Sequence, residues 1–339
     1  MINKILVFLI IISAGCTSGS HLNLKKHNFN QVPSQIIWIQ VPGLAEEHLA
    51  SLKFTLTGMG EETAFEQMTC LGKIWHYNLF ELRPDIRSSL LSQIVGKKNI
   101  TNSCDDYEHL PFWSYFGTKG IPVGILEAGV PNKDSLYKAS SCGEQGEKFT
   151  ENMGLWIMNK KKNKKDKMFH FQQKIKTAPG VYFDKSCQGK ECFSSVANNF
   201  FSIYGQFIKD NKQSAIMLRD FGYINALKAN NFTKAREHLL ELNNILSMLL
   251  QNKSHNQNRL ILVTSASSRR YLFPPKGKKW GEYEKQGRHI YFKDTSLMSP
   301  VFATGAGAEN YCGIYGESEL LKRIIWGPEK HILDLTVFQ

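Results

Sequence analysis

The chain has 339 residues, 42% hydrophobic and 12% aromatic. That is enough apolar material for a large core, in one big domain or two modest ones, and it excludes a chain too polar to fold. Lys and Arg total 42 against 30 acidic residues, a formal charge of +12, which suits anionic neighbours such as nucleic acid, phospholipid or cell-wall polymer.

The opening "MINKILVFLIIISAGCTSGS" has Lys4, an apolar stretch from Ile5 to Ile12, small residues and then Cys16. The apolar stretch is too short to span a bilayer as a helix and reads as a secretory signal. Small residues directly before a cysteine resemble the lipobox of bacterial lipoproteins, although Ser13 stands where leucine is usual. The resemblance implies acylation of Cys16 and a membrane tether; ordinary signal cleavage nearby is the alternative. Residues 1–15 are then the signal peptide, 16–33 a polar spacer and 34–339 the folded domain of an exported, membrane-anchored or periplasmic protein. No nucleic acid partner is expected there. Removing Cys16 leaves six cysteines in an oxidising compartment, where disulfides are the default. Cys187 and Cys192 bracket "QGKE" and are the easiest pair to close. No C-x-x-C pair occurs, which argues against a zinc ribbon or a thioredoxin-like site.

Five apolar runs read as fully buried strands: "QIIWIQV" (35–41), "IPVGILE" (121–127), "SAIMLR" (214–219), "RLILVTS" (259–265) and "PVFATG" (300–305). Between them, residues 232–250 carry Ala235, Leu239, Leu242, Leu246 and Leu249 at three- and four-residue spacing, an amphipathic helix. Strands alternating with helices predict an α/β fold with a mostly parallel sheet covered on both faces. Such sheets keep their chemistry at the carboxyl ends of the strands. Residues 130–195 are lysine-rich, hold three cysteines and have weak periodicity; they read as an insertion stapled by disulfides. Its run Lys160–Lys167 reads as a solvated insert, with contact to anionic envelope polymer as the functional alternative.

Residues 299–325, "SPVFATGAGAENYCGIYGESELLKRII", carry a glycine-rich loop after a strand. A dinucleotide loop needs a third glycine where Asn310 stands, and belongs early in a βαβ unit. The stretch instead resembles the C-terminal strand and loop of the alkaline phosphatases. Pro300, Val301, Gly305, Gly307, Ala308, Glu309, Asn310, Tyr311, Gly313, Tyr315, Ser318, Glu319 and Leu320 carry the likeness. It extends over roughly 35–130 and 210–335 and is densest here. It implies a three-layer α/β/α architecture and, in active members, two metal ions about 4 Å apart, usually zinc, that activate a nucleophile and hold a phosphate.

The same resemblance implies landmarks in order. Where a first-strand aspartate would bind metal, "IIWIQVPGLAEEHL" has Pro42. Where Asp-x-x-x-His is expected, "MLRDFGYINAL" has Asp220 but Ile224. Where Asp-His is expected, "LILVTSASSRR" has Ala266 and Ser267. Before the last strand, "FKDTSLMSPVF" has Asp294 in place of histidine, with His289 upstream. The nucleophile, a Ser or Thr at a helix start or a modified Cys, maps to Thr69 or Cys70 in "FEQMTCLGKIW"; Cys70 serves equally as a disulfide half. Each zinc takes about three protein ligands. Pro, Ile and Ala donate nothing, so Asp220, Asp294 and His289 are a residual set too small for two ions. Arg269 and Arg270 could form an anion-binding mouth, since a guanidinium bonds two oxygens of phosphate or sulfate at once; a solvated loop or a buried ion pair involving Arg219 is the plainer reading. A serine triad has no G-x-S-x-G elbow to support it. The expected function is non-catalytic binding or scaffolding without a cofactor. The rivals are a zinc-dependent phosphate- or sulfate-ester hydrolase with non-standard ligands and an envelope-polymer-binding lipoprotein.

Overall fold

A computed structural model describes residues 32–53, 62–131, 133–158, 195–251, 258–286, 289–293 and 296–326. The elements run β1 (Gln35–Gln40), α1 (Glu46–Lys53), β2 (Cys70–Trp75), α2 (Ile86–Val95), α3 (Phe112–Gly117), β3 (Val123–Ala128), α4 (Gly143–Thr150) and β4 (Met153–Met158). They continue with α5 (Val196–Asp210), β5 (Ser214–Asp220), α6 (Gly222–Lys228), α7 (Phe232–Gln251), β6 (Arg259–Thr264), β7 (Arg270–Leu272) and α8 (Lys278–Gln286). The last are β8 (Tyr291–Lys293), β9 (Met298–Gly305), β10 (Gly313–Gly316) and α9 (Glu319–Trp326).

Eight strands form one sheet in the order β10-β2-β9-β6-β1-β5-β3-β4, and β7 and β8 pair separately. Only β9 runs against its neighbours in the large sheet. Apolar residues alternate between two cores. Ile37 and Ile39 of β1, with Val41 just beyond it, face α5, α6 and α7, whereas Ile36 and Trp38 face α3, α4 and α9. The predicted three-layer α/β/α arrangement follows, because strands buried on both faces need helices on both faces. All five strands predicted from apolar runs are present, and Ala235, Leu239, Leu242, Leu246 and Leu249 of α7 are buried.

The region read as an insertion contributes more than expected. Met153–Met158 is the edge strand beside β3, and Cys142 is bonded to Cys104. Cys16, Cys187, Cys192 and the lysine run 160–167 lie outside the described residues. Among the described residues, no helix is long and apolar enough to cross a membrane.

Because β9 is antiparallel, its two ends swap rims. Met298 and Ser299 lie level with the carboxyl ends of the parallel strands, and the glycine-rich loop lies at the opposite, amino rim. There Gly305 (φ 94°) and Gly307 (φ 70°) adopt left-handed backbone that glycine accepts without a Cβ clash. Tyr311 is buried beneath the loop. The loop is a corner of the scaffold, at the wrong end of the sheet to hold a ligand in the strand-end cleft.

Candidate functional site

At the carboxyl rim of the sheet, residues that follow β2, β3 and β6 and residues that precede β9 line a cavity of about 240 Å³. Helix α2 forms one wall. Asp85 caps it by accepting a 2.7 Å bond from the Ser88 amide, and Gly96 ends it in the left-handed region with its N–H on Ser92 O. Asp85 and Ile86 both line the cavity. Four cationic side chains line it too: Arg83 before α2, Lys133 after β3, Lys228 at the end of α6 and Arg269 after β6. Asp85 and Asp134 are the acidic members. Burial raises the Asp134 carboxyl above its ordinary range, against the pull of Lys133, Arg219 and Lys228. Burial also lowers the Lys228 ammonium; Asp134 opposes that shift, while Arg269 and Lys133 add to it. These charges therefore act on one another across the cavity, with positive charge in excess.

The far wall is Ser267, held at φ 50°, a conformation uncommon for a residue with a Cβ. Backbone bonds from the Gly43 amide to Ala266 O, 2.7 Å, and from the Arg269 amide to Gly43 O, 3.2 Å, fix this turn.

Beneath the cavity one row of the sheet is polar. Glu127 of β3, Arg219 of β5, Gln40 of β1 and Thr264 of β6 are cross-strand neighbours in register. All four are buried. Arg219 donates to Glu127, to Gln40 Oε1 at 3.2 Å and to Asp134 O at 3.1 Å. Gln93 of α2 accepts from Gln40 at 3.2 Å and from Thr264 at 2.9 Å. Ser135 and the Leu136 amide complete the shell of Glu127.

A second network joins the ends of β2, β9 and β10. His76 donates from Nδ1 to Glu317 at 2.6 Å, and its Nε2 is bonded to the Ser299 hydroxyl. Ser299 in turn lies 2.5 Å from Ser268, which donates to Leu44 O. Ser89 of α2 bonds to Glu317. Burial raises the Glu317 carboxyl, while His76, Ser89 and Gln93 pull it down. Hydroxyl, imidazole and carboxylate follow one another as in a serine triad. However, the cavity is lined by His76 and not by Ser299, whose hydroxyl is held between Ser268 and His76. The chain ties three strand ends together, and its Ser299 hydroxyl is buried.

The predicted site residues separate. Asp220 ends β5 and accepts a 2.8 Å bond from the Gly222 amide, so one carboxylate oxygen starts α6. Ile224, four residues on, is in the core, as is Ala266. His289 is bonded at 2.5 Å to Glu282 of α8. Asp294 lies outside the described residues. Among the described residues, no group of three or more His, Cys, Asp or Glu is arranged to hold a metal ion.

Thr69 and Cys70 do not stand at the cleft. Cys70 is level with Ala303, and Ala303 with Leu262, two rows short of Thr264. Thr69 is therefore three rows, about 10 Å, below the polar row. Cys70 is bonded to Cys312 and has no thiolate to offer. The helix that starts at the cavity is α2, and its first residue is Ile86. Arg269 lines the cavity, but Arg270 begins β7 with its side chain exposed, so the two arginines do not act as a pair. Arg219 is the buried ion-pair residue, with Glu127 as its partner. Sequence reading missed His76, Ser299 and Glu317 because 223 and 241 positions separate His76 from its partners. Only recognition of "CLGKIW" as a strand beside β9 could have brought them together.

The fold is that of the alkaline phosphatases. An alkaline phosphatase from the Antarctic bacterium TAB5 superimposes with a TM-score of 0.62 at 16% identity, over 88% of this chain and 99% of that one. The Thermus thermophilus enzyme gives 0.63 at 11% identity, over 93% and 94%, and that of a psychrophilic Shewanella sp. gives 0.61 at 10%, over 86% and 99%. A variant of the TAB5 enzyme has been solved with magnesium bound. The sequence matches no protein-family model and no curated protein.

Proposed function

We propose that this protein uses an alkaline-phosphatase scaffold to bind an anionic, phosphate-bearing ligand without hydrolysing it. One observation carries the reading. The strand-end cavity is lined by Arg83, Lys133, Lys228 and Arg269, while Ile86 occupies the helix start that opens on it. Arg and Lys satisfy a phosphate's charge directly, Arg through two parallel bonds. The donor set does not fit a pair of divalent ions. Pro42, Ile224 and Ala266 have no lone pair to give, a neutral Ser267 hydroxyl is a poor ligand, and one oxygen of Asp220 is occupied by a backbone amide. Charge that metals would supply elsewhere comes here from fixed side chains, and no cofactor is needed.

The protein is exported on this reading, with Cys16 acylated and the cavity facing the envelope. An anionic polymer of that compartment is a suitable ligand, and the lysines of 160–167 would add to its capture. Nucleic acid is not a partner.

A second reading rests on Asp220, which the resemblance makes a metal ligand at the end of β5. With Asp294 and His289 it would support a zinc-dependent phosphate- or sulfate-ester hydrolase. One experiment separates the two. Inorganic phosphate is titrated calorimetrically into the protein with and without a chelator, beside assays of aryl phosphate and aryl sulfate hydrolysis with added zinc and magnesium. Binding that survives the chelator, falls at least about tenfold in Lys228→Ala/Arg269→Ala and comes with no turnover supports the binding role. Stoichiometric tightly held zinc together with turnover overturns it.

A further inference from the structure

We infer that the turn after β2 is a docking tip for an anionic lipid surface. Leu79, Phe80 and Leu82 are 72%, 63% and 69% exposed within four residues, and Tyr77 beside them is 39% exposed. Contiguous large apolar side chains in water mark an interaction site. The tip is built to stay out. The Asn78 carboxamide, buried beneath it, accepts from the Phe80 amide at 2.8 Å and the Glu81 amide at 2.5 Å, and donates to Ile100 O at 3.3 Å. The Leu79 amide donates to Lys98 O at 2.8 Å, and the Asn78 amide to Glu81 O at 3.1 Å. A turn fixed this way loses little further entropy when its side chains are buried by a partner.

The surrounding charge selects the partner. Arg83 follows the tip, and Lys97 and Lys98 lie on the strap that its backbone bonds to. Lys98 Nζ is 3.1 Å from the Tyr77 hydroxyl and 4.7 Å from its ring centre. Glu81 lies within the tip and Asp85 follows Arg83, so Arg83, Lys97 and Lys98 leave the rim with one positive charge in excess. Apolar side chains at the centre, an aromatic ring and a basic rim match the acyl boundary and headgroups of an anionic leaflet. The inference stands apart from the proposed ligand of the cavity, although Arg83 belongs to both surfaces.

The test uses exported full-length protein carrying Cys16→Ser, so that no acyl chain contributes. It is sedimented with vesicles of phosphatidylcholine alone and of phosphatidylcholine with phosphatidylglycerol. Binding to the anionic vesicles is expected, and Leu79→Ser/Phe80→Ser/Leu82→Ser should weaken it at least about tenfold with an unchanged melting temperature. A polarity-sensitive fluorophore on Leu82→Cys should shift to the blue when anionic vesicles are added. A Cys16→Ser parent that stays in the supernatant, a triple variant that binds as well as that parent, or a fluorophore that does not shift each overturns the proposal. The fluorophore arm decides if the triple variant fails to fold.

Discussion

Arg219 and Glu127 face each other across adjacent parallel strands and form an ion pair closed off from solvent. The pair is the β3 end of the polar row that runs from β3 to β6, and Gln40, Asp134 O, Ser135 and the Leu136 amide add further bonds to it. Removing one partner strands a buried charge. Glu127→Ala or Arg219→Ala should each lower unfolding free energy by about 3–5 kcal/mol, measured by urea denaturation. The combined Glu127→Leu/Arg219→Met protein should lose clearly less than the two single losses summed, because no charge is then left unpaired. Additive losses would mean that the pair does not hold the rim together.

His48 of α1 predicts an acid sensitivity. Its ring is buried, stacks on Tyr271 at 4.0 Å and accepts at Nδ1 from the Tyr223 hydroxyl at 2.6 Å. Burial lowers its pKa from 6.5 to about 3, only partly offset by a backbone bond at Arg269. The folded pKa lies below the unfolded one, so the stabilisation is present above pH 6.5 and is lost as pH falls toward 3. Between neutral pH and about pH 5 this one group should withdraw about 2 kcal/mol. Urea unfolding at the two pH values should show that loss, and His48→Gln should be less sensitive by the same amount.

The central strands were legible because each is a continuous apolar run, the mark of a strand buried on both faces. Strand β2 was not. "CLGKIW" alternates buried with exposed or half-exposed positions, is short, and contains a glycine, so it gives no continuous run. Missing it hid the neighbour of β9 and drew Thr69 and Cys70 toward a role at the cleft, when both lie below the polar row. Helix α2 was not predicted, although "PDIRSSLLSQIVG" carries its cap residues Asp85 and Gly96 at the ends. What could not be read was that all ten residues of that helix are buried, with Ser89 and Gln93 spent on the rim networks. Hydrogen bonds between strands far apart in the chain leave no local pattern. Edge strand β4 was hidden differently, by the lysine-rich sequence that follows it.

The disulfides predict an order of stability effects. Cys70 and Cys312 close a separation of 242 residues and pin β2 to the segment leading into β10; Cys104 and Cys142 close 38. Chain-entropy reasoning gives about 5 kcal/mol for the long loop and about 4 kcal/mol for the short one. Cys70→Ala/Cys312→Ala should therefore lower the melting temperature more than Cys104→Ala/Cys142→Ala. In reducing buffer the wild type should melt below both of the variants' values in oxidising buffer. A wild type indifferent to reductant would remove both bonds from the account.

Lys228 predicts how anion binding should depend on pH. It sits at the end of α6 with Arg269 and Lys133 on the same cavity, and burial lowers its pKa below the ordinary 10.5. Its charge is therefore lost at a lower pH than that of a free lysine. If Lys228 holds the ligand's charge, phosphate affinity should be full near neutral pH and should weaken as pH rises, before ordinary lysines titrate. Lys228→Arg keeps the charge at all accessible pH values, because guanidinium does not deprotonate in this range. The variant should bind at neutral pH within a factor of about three of wild type and should lose the alkaline decline. Calorimetric titration of phosphate across the alkaline range reads both outcomes. A decline that persists unchanged in Lys228→Arg would assign it to another group and take Lys228 out of the ligand's contacts.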